Sequence, residues 1–560
     1  MRIVMLLVML VLGLQAAPAA PKAHAPPVVA DGARAPGLKA ARPNFVFIQA
    51  EAQGWSSTSV DMDGVAPSTA RPAGLTPNLE KMAADGMRFS DFYVSCPRCT
   101  PSRASWVTGI GPAKLHMTYQ NEGGANKRET GDASRYPLMR MIAPSPDTDL
   151  PAGVKTSGGM LHDLGYGTAH FGKWHVGRAA PDAVGFDVCD GANSNQGPER
   201  GSAPNPKQAA LITDRGIEFM RAQLKAGKPF FVQLSHYGFG AEEEATPEAL
   251  AAAKALVPGI SGKPMGAIAG ARDVDTQVGR VLAALKEMGV ADNTYVFYSA
   301  DHGAQGGGGG GAGGGRNVPN PPFSGAKGSV SEGGIRVPFI AVGPGIAAGK
   351  VSAVRGSGMD LLPTMLDLCG APVAKPADPD ARTAIEGGSL VPVLKGGGEG
   401  KVQRSHEDLV IHFPHYDLGN GGPASAIYVG NMKLVHNYDT GKYMLYDIAK
   451  DRAERNDLSS EQTEAVKSMQ AKLDSYLQAV KAQMPVVNPN PGKDDGSAPA
   501  DGGKPKGGKG GGGGKGGGKG GGGNGAGGKG GQGGGGQGGG QGGGQGGNKD
   551  TSKEGTSNGN

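Results

Sequence analysis

Cysteine is scarce: only Cys96, Cys99, Cys189 and Cys369 occur in 560 residues, too few to frame a disulfide scaffold. Cys96 and Cys99 form a CxxC, but no second CxxC completes a zinc site and no thioredoxin-like context supports a redox pair. Long apolar runs are also missing. The run from Ile3 to Leu14 is too short for a spanning helix; between Arg2 and Ala17-Pro18-Ala19 it reads as a secretory signal over residues 1 to 19. With no Cys after that run, a lipid anchor is not expected. The expectation is export, periplasmic or extracellular, without stable membrane insertion. A concentrated positive charge is absent too. Residues 491 to 560 hold nine Lys against five acidic residues, so +4 of the formal +5 is spread along a tail and the body is close to neutral. The basic excess is thus a diffuse tail and not a patch on a folded face, and no nucleic-acid partner is expected from it.

Glycine is abundant instead, 101 residues, about double ordinary usage, with much of the excess after Asn490. Residues 487 to 560, rich in Gly and Lys, cannot bury enough apolar surface to offset their ordering entropy and read as a solvated, disordered tail. Residues 20 to 42, rich in Ala and Pro, read as a disordered lead-in. The remaining length exceeds what one core usually organises, so two parts are expected.

Between residues 43 and 375 short apolar runs alternate with amphipathic stretches. Strands are expected at Phe45 to Ile48, Gly167 to Phe171, Phe230 to Leu234, Tyr295 to Tyr298 and Val337 to Val342. Helices are expected after Thr76-Pro77, near Met160 to Leu164, and over Val274 to Leu285. This predicts an α/β fold: a large, mostly parallel sheet flanked by helices on both faces. From 376 to 486 the pattern changes to short strands, Leu409 to Phe413, Ile427 to Val429, Met432 to Tyr438 and Tyr443 to Asp447, then a helix opening at the capping box Ser459 to Gln462. That predicts a smaller C-terminal subdomain of antiparallel sheet and packed helix.

In open α/β sheets, ligands gather beyond the carboxyl ends of the strands. Glu51, the pair Lys173 and His175, and the pair Asp301 and His302 all follow expected strands there. Carboxylates brought together from far apart in sequence are costly unless a cation joins them. In Cys99-Thr100-Pro101-Ser102-Arg103, Thr100 as N-cap and Pro101 as first helical residue place Cys99 at a helix N-terminus. A thiol there is activated, and Arg103, one turn on, returns its guanidinium toward it. Lys173 and His175, two apart on an extended segment, would point the same way.

These segments, with Gly172-Lys173-Trp174-His175-Val176-Gly177, Asp301-His302-Gly303, and Lys327-Gly328 through Glu332-Gly333-Gly334-Ile335-Arg336-Val337-Pro338, resemble the type I sulfatases of the alkaline phosphatase superfamily. The echoes Asp360-Leu361-Leu362-Pro363-Thr364 and Leu445-Tyr446-Asp447 extend the resemblance to roughly residues 43 to 484. It implies a sulfuric ester hydrolase, arylsulfatase-like, acting on a sulfated small molecule or glycan. It implies that a maturation enzyme oxidises Cys99 to formylglycine, whose hydrate attacks sulfur. It further implies that Arg103 steadies the hydrate, that Lys173, His175 and Lys327 serve the sulfate oxygens and leaving group, and that Asp301 and His302 ligate a divalent cation, usually calcium, which also holds the residue 99 nucleophile.

The sequence departs from that family in two places. Where the family carries a pair of Asp after the first strand, this chain has Glu51 and Ala52; Gln53, Asp61 or Asp63 could replace the missing ligand, with Gln53 the first choice. His302 stands where an amide is common, which could alter the metal preference. A substrate-contacting His of the family corresponds to Gly240; His236, four residues earlier, is the nearest imidazole and the candidate substrate contact. Glu242, Glu243 and Glu244 read as a solvated turn which, facing the site, would favour less charged substrates. His412 and His415 read as structural, and the Gly306 to Gly315 insertion as a loop over the site mouth. Two alternatives stay open: a phosphodiester or phosphonate hydrolase with the same nucleophile, and a binding protein that has lost turnover.

Overall fold

Along the first strand, β1 (Asn44–Ala50), Phe45 and Phe47 enter one apolar core while Val46, Ile48 and Ala50 enter another. Alternation with period two therefore feeds cores on both faces of the sheet. The computed structural model describes residues 42–64, 71–120, 139–191, 207–305, 320–373, 376–417 and 422–489. The signal-like segment, residues 20 to 41 of the lead-in, the Gly306 to Gly315 insertion and residues 490 to 560 of the tail lie outside them.

Seven further strands join β1: β2 (Met87–Phe89), β3 (Gly167–Gly172), β4 (Val188–Cys189), β5 (Phe230–Ser235), β6 (Thr294–Ala300), β7 (Phe339–Val342) and β8 (Lys350–Ser352), in the order β8-β2-β7-β6-β1-β5-β3-β4. β6, β1, β5, β3 and β4 are parallel, with Ile48 beside Tyr298 and Leu234. β7 runs against both of its neighbours, β6 and β2. The loops after β1, β3, β5 and β6 consequently leave the sheet at one edge. The main helices are α1 (Pro77–Asp85), α2 (Cys99–Thr108), α3 (Ala209–Lys225) and α4 (Lys263–Glu287). None of the described helices is long and apolar enough to cross a membrane.

A second sheet is antiparallel, in the order β9 (Leu409–Phe413), β10 (Ala424–Val429), β11 (Met432–Asn437), β12 (Lys442–Asp447). Ile427, Leu434 and Leu445 pack there against Met469, Leu473 and Leu477 of α5 (Thr463–Ala479). α5 begins four residues after the capping-box Ser459. Asp457 takes the N–H of both Ser459 and Leu445, which fixes that stretch as a turn on the sheet.

A buried ionic network fastens β11 to the segment before β7. Lys433 donates to Val330 O (2.8 Å), Glu332 Oε1 (3.1 Å) and Glu454 Oε1 (2.7 Å), so its three N–H are all used. Glu332 also accepts from Tyr428, Tyr93 and Arg336, and Arg336 reaches Asp91 and Ser90 O. Burial alone would raise the Glu332 pKa, but Lys433 and Arg336 outweigh it and hold the carboxyl at about 2.

Candidate active site

Cys99 is the first residue of α2, whose ten residues are all buried, and Arg98 occupies the N-cap position. The helix thus starts earlier than a Thr100 cap implies. The sequence expectation that Cys99 sits at a helix N-terminus holds in the geometry, through a different cap. Its Sγ lies 3.1 Å from His302 Nε2 and 4.0 Å from Glu51 Oε1. Ligand atoms of Glu51, Cys99, Asp301 and His302 all lie within 4.8 Å of one another.

The loop ends explain the convergence. Glu51 leaves β1 and Asp301 leaves the adjacent parallel β6, whose registers end together at Ala50 and Ala300. Ala52, in the left-handed region at φ 55°, turns the chain so that its N–H donates to Asp301 Oδ1 at 2.9 Å. His302 Nδ1 faces Gly303 O at 3.0 Å; a carbonyl only accepts, so Nδ1 carries a proton and Nε2 is the nitrogen turned toward Cys99.

Cations surround these acceptors. Lys173, almost fully buried, pairs with Glu51 Oε1, while Glu51 Oε2 accepts the Gly238 N–H at 2.9 Å. Burial would push the Cys99 thiol up, but Lys173, Lys327, His302 and a hydrogen bond with His175 bring it well below the ordinary thiol value. Burial likewise raises the Glu51 carboxyl, and Lys173 with Lys327 and Arg103 reverse this and hold it far down. Lys173 is raised in turn, Cys99 and Glu51 outweighing the desolvation that lowers it.

Several site residues have partners or backbone conformations other than those read from the sequence. Arg103 is directed at Asp301 rather than at Cys99: Nε and Nη2 both lie 2.9 Å from Asp301 Oδ2, and Nη1 donates to Gln49 Oε1 (3.1 Å) and Lys173 O (2.6 Å). Lys173 and His175 do not lie on an extended strand. His175 has φ 55°, so a turn after β3 brings both to Cys99 and Glu51. Gln53 is buried with its amide oxygen accepting from the Tyr298 hydroxyl, and Asp63 is paired with Arg452. His236 is fully buried, with its backbone N–H donating to Gln49 O at 2.8 Å, and burial lowers its imidazole to about 4. Neither ring nitrogen has a partner among the described residues, and His236 does not line the adjacent cavity.

That cavity, of about 340 Å³, opens beside Glu51 and Lys173 and is also walled by Lys207, Tyr237, Phe239 and Glu244. Sequence reading missed Lys207 altogether, since no motif surrounds it. It treated Glu244 as part of a solvated run, although its spacing from Gly240 leaves it within reach of the loop after β5.

The sulfatase family model matches residues 43–371, more than half of the chain. The chain belongs to the sulfatase family. Among curated sulfatases it is 31% identical to human N-acetylgalactosamine-6-sulfatase over 382 residues (63% of this chain, 66% of that one). It is 28% identical to human arylsulfatase A over 419 residues (69% and 73%). The chain spans 66% of the length of the N-acetylgalactosamine-6-sulfatases it matches. Among solved structures, Ps i-CgsB in complex with k-i-k-neocarrahexaose superposes with TM-score 0.59 at 21% identity, covering 78% of this chain and 93% of that one. BT4656, in complex with its substrate D-glucosamine-2-N,6-O-disulfate, superposes with TM-score 0.56 at 19% identity, covering 79% and 98%. At these identities the structures speak for a sulfatase fold.

A divalent cation fits the acceptor cluster by its chemistry. Two carboxylates, His302 Nε2 and the residue 99 side chain converge in a buried space as groups able to donate lone pairs to a metal ion.

Proposed function

We propose that this chain hydrolyses sulfate monoesters, on a carbohydrate, with a formylglycine made from Cys99. The observation that carries this reading is the meeting, at one sheet edge, of a helix N-terminal Cys99 with converging acceptors and a surrounding set of cations. Negative charge grows on the leaving oxygen in the transition state, and fixed cations in a water-poor site are worth most there. The aldehyde hydrate at residue 99 would supply one hydroxyl to attack sulfur with the alcohol as leaving group, and a second whose deprotonation would restore the aldehyde as sulfate departs. Bound at Glu51, Asp301, His302 and residue 99, a divalent cation, calcium on the family resemblance, supplies charge neutralisation. His302 Nε2 as a ligand makes a softer metal a competitor to be measured.

The chain's own residues have distinct tasks in this reading. Lys173 and Lys327 bind the sulfate oxygens, and His175, hydrogen-bonded to residue 99, holds the nucleophile and exchanges its proton. Arg103 is a positioning residue: it fixes Asp301 with two contacts and screens its charge. The signal-like N-terminus supports export, and Cys99 must meet a formylglycine-generating enzyme before or during it.

The test is a paired assay on protein expressed with and without such an enzyme, with peptide mass spectrometry at residue 99. Sulfate release that tracks the aldehyde supports the reading. Aldehyde-bearing protein that cleaves a matched phosphodiester and no sulfate ester would transfer the site to phosphoryl chemistry. Aldehyde-bearing protein that cleaves neither would leave a binding protein.

A further inference from the structure

The cavity beside Glu51 and Lys173 contains a second charge pair that the chemistry above does not use. Lys207 Nζ lies 3.0 Å from Glu244 Oε1, and Glu244 Oε2 accepts from the N–H of Gly240 (2.5 Å) and Ala241 (3.2 Å). A Cβ on Gly240 would stand 3.6 Å from that carboxylate, so Glu244 comes to the side of the loop where a larger residue 240 would project. Partial burial raises the Glu244 pKa, but the Gly240 N–H and Lys207 outweigh it, so Glu244 is an acceptor and not an acid. The ammonium of Lys207 has three donors, of which Glu244 takes one.

Glu51 and Lys173 wall the same cavity, as do Tyr237 and Phe239. Glu51, which borders this space, lies 4.0 Å from Cys99 Sγ, so an ester with its sulfur at residue 99 can extend its alcohol half into it. On the sulfatase reading above, we infer that Lys207 and Glu244 are the specificity-determining pair for the alcohol half, and that this half is a hydroxyl-bearing sugar ring without a second sulfate beside the pair. A sugar hydroxyl is donor and acceptor at once, so it donates a hydrogen bond to Glu244 and accepts one from Lys207. An aromatic side chain in the wall suits the C–H face of a ring. A second sulfate beside the pair would meet Lys207 but also the Glu244 carboxylate, whose charge disfavours it.

The test compares kcat/KM on monosulfated hexoses and hexosamines, a disulfated hexosamine and 4-nitrophenyl sulfate, for mature wild type, Lys207→Met and Glu244→Gln. The ratio of monosulfated sugar to aryl ester should fall about tenfold or more in each variant, because a site built to hydrogen-bond a hydroxyl loses discrimination when one partner is removed. The change should lie mainly in KM. Glu244→Gln should also raise the disulfated substrate relative to the monosulfated one. A ratio unmoved in both variants, a wild type that cleaves only the aryl ester, or a wild-type preference for the disulfated sugar overturns this inference while leaving a sulfatase. A mature wild type that releases sulfate from none of them overturns the sulfatase reading itself.

Discussion

Around Glu332 and around Cys99 the molecule buries charge in two different ways. Lys433 uses its three donors on Val330, Glu332 and Glu454, and Glu332 receives two hydroxyls and two cations. That network closes on itself and joins the second sheet to the first. At Cys99, four acceptor side chains from three stretches of the sequence face one another, and the nearby Lys327 is only half-buried. The first arrangement needs nothing from outside, whereas on the proposed reading the second is completed by a cation and an anionic ester. Burial and ion pairing alone do not separate structure from function; several acceptors turned toward one common point do.

Breaking the open cluster should remove catalysis and spare the fold. Cys99→Ala is expected to cut sulfate release by at least about 10⁴-fold, as loss of a nucleophile does. Its denaturation midpoint should stay near wild type; a collapse of folding would count against the assignment. Breaking the closed network should do the reverse. Lys433→Met leaves Glu332 and Glu454 buried with less compensation, and a loss of about 3–5 kcal/mol in unfolding free energy is expected. Urea titration checks this, and a loss below about 1 kcal/mol would show that the network is not a fastening.

Acid should sharpen the same contrast with a smaller effect. Burial holds His236 and His412 at about 4, and His170 and His415 at about 3, against an ordinary 6.5. The folded state then binds fewer protons than the unfolded chain, so this stability is complete above 6.5 and is lost as pH falls toward 4. Glu332 titrates later: its contribution, complete above 4.5, is lost only toward about 2. Asp190, raised by burial to about 6, works in the opposite direction and tempers the fall. The urea midpoint should therefore drop between pH 6.5 and 4.5, in Lys433→Met as in wild type. A flat profile over that range would contradict the buried imidazoles.

Much of the scaffold was legible because strand signals were local. Phe45 to Ile48 lies within Asn44–Ala50, Leu409 to Phe413 matches β9, and Pro77 opens α1 with Gly86 closing it. The reversed direction of β7 was not legible, because an apolar run has no polarity. Site positions were legible for the same reason as the sheet: Glu51, Lys173, Asp301 and His302 follow parallel strands. Their partners were not. That Arg103 turns to Asp301, Gln53 to Tyr298 and Asp63 to Arg452 depends on where distant segments pack. The Lys207 and Glu244 pair, 37 positions apart in numbering, carries no local pattern.

The most direct test of the open cluster is its ion content, measured by inductively coupled plasma mass spectrometry after exhaustive dialysis against a calcium-containing, then a metal-free, buffer. The account predicts a tightly held divalent ion in wild type and in Lys433→Met, and its loss in His302→Ala and Asp301→Asn. Wild type that retains no divalent ion, or a His302→Ala protein that retains it fully, would contradict the account.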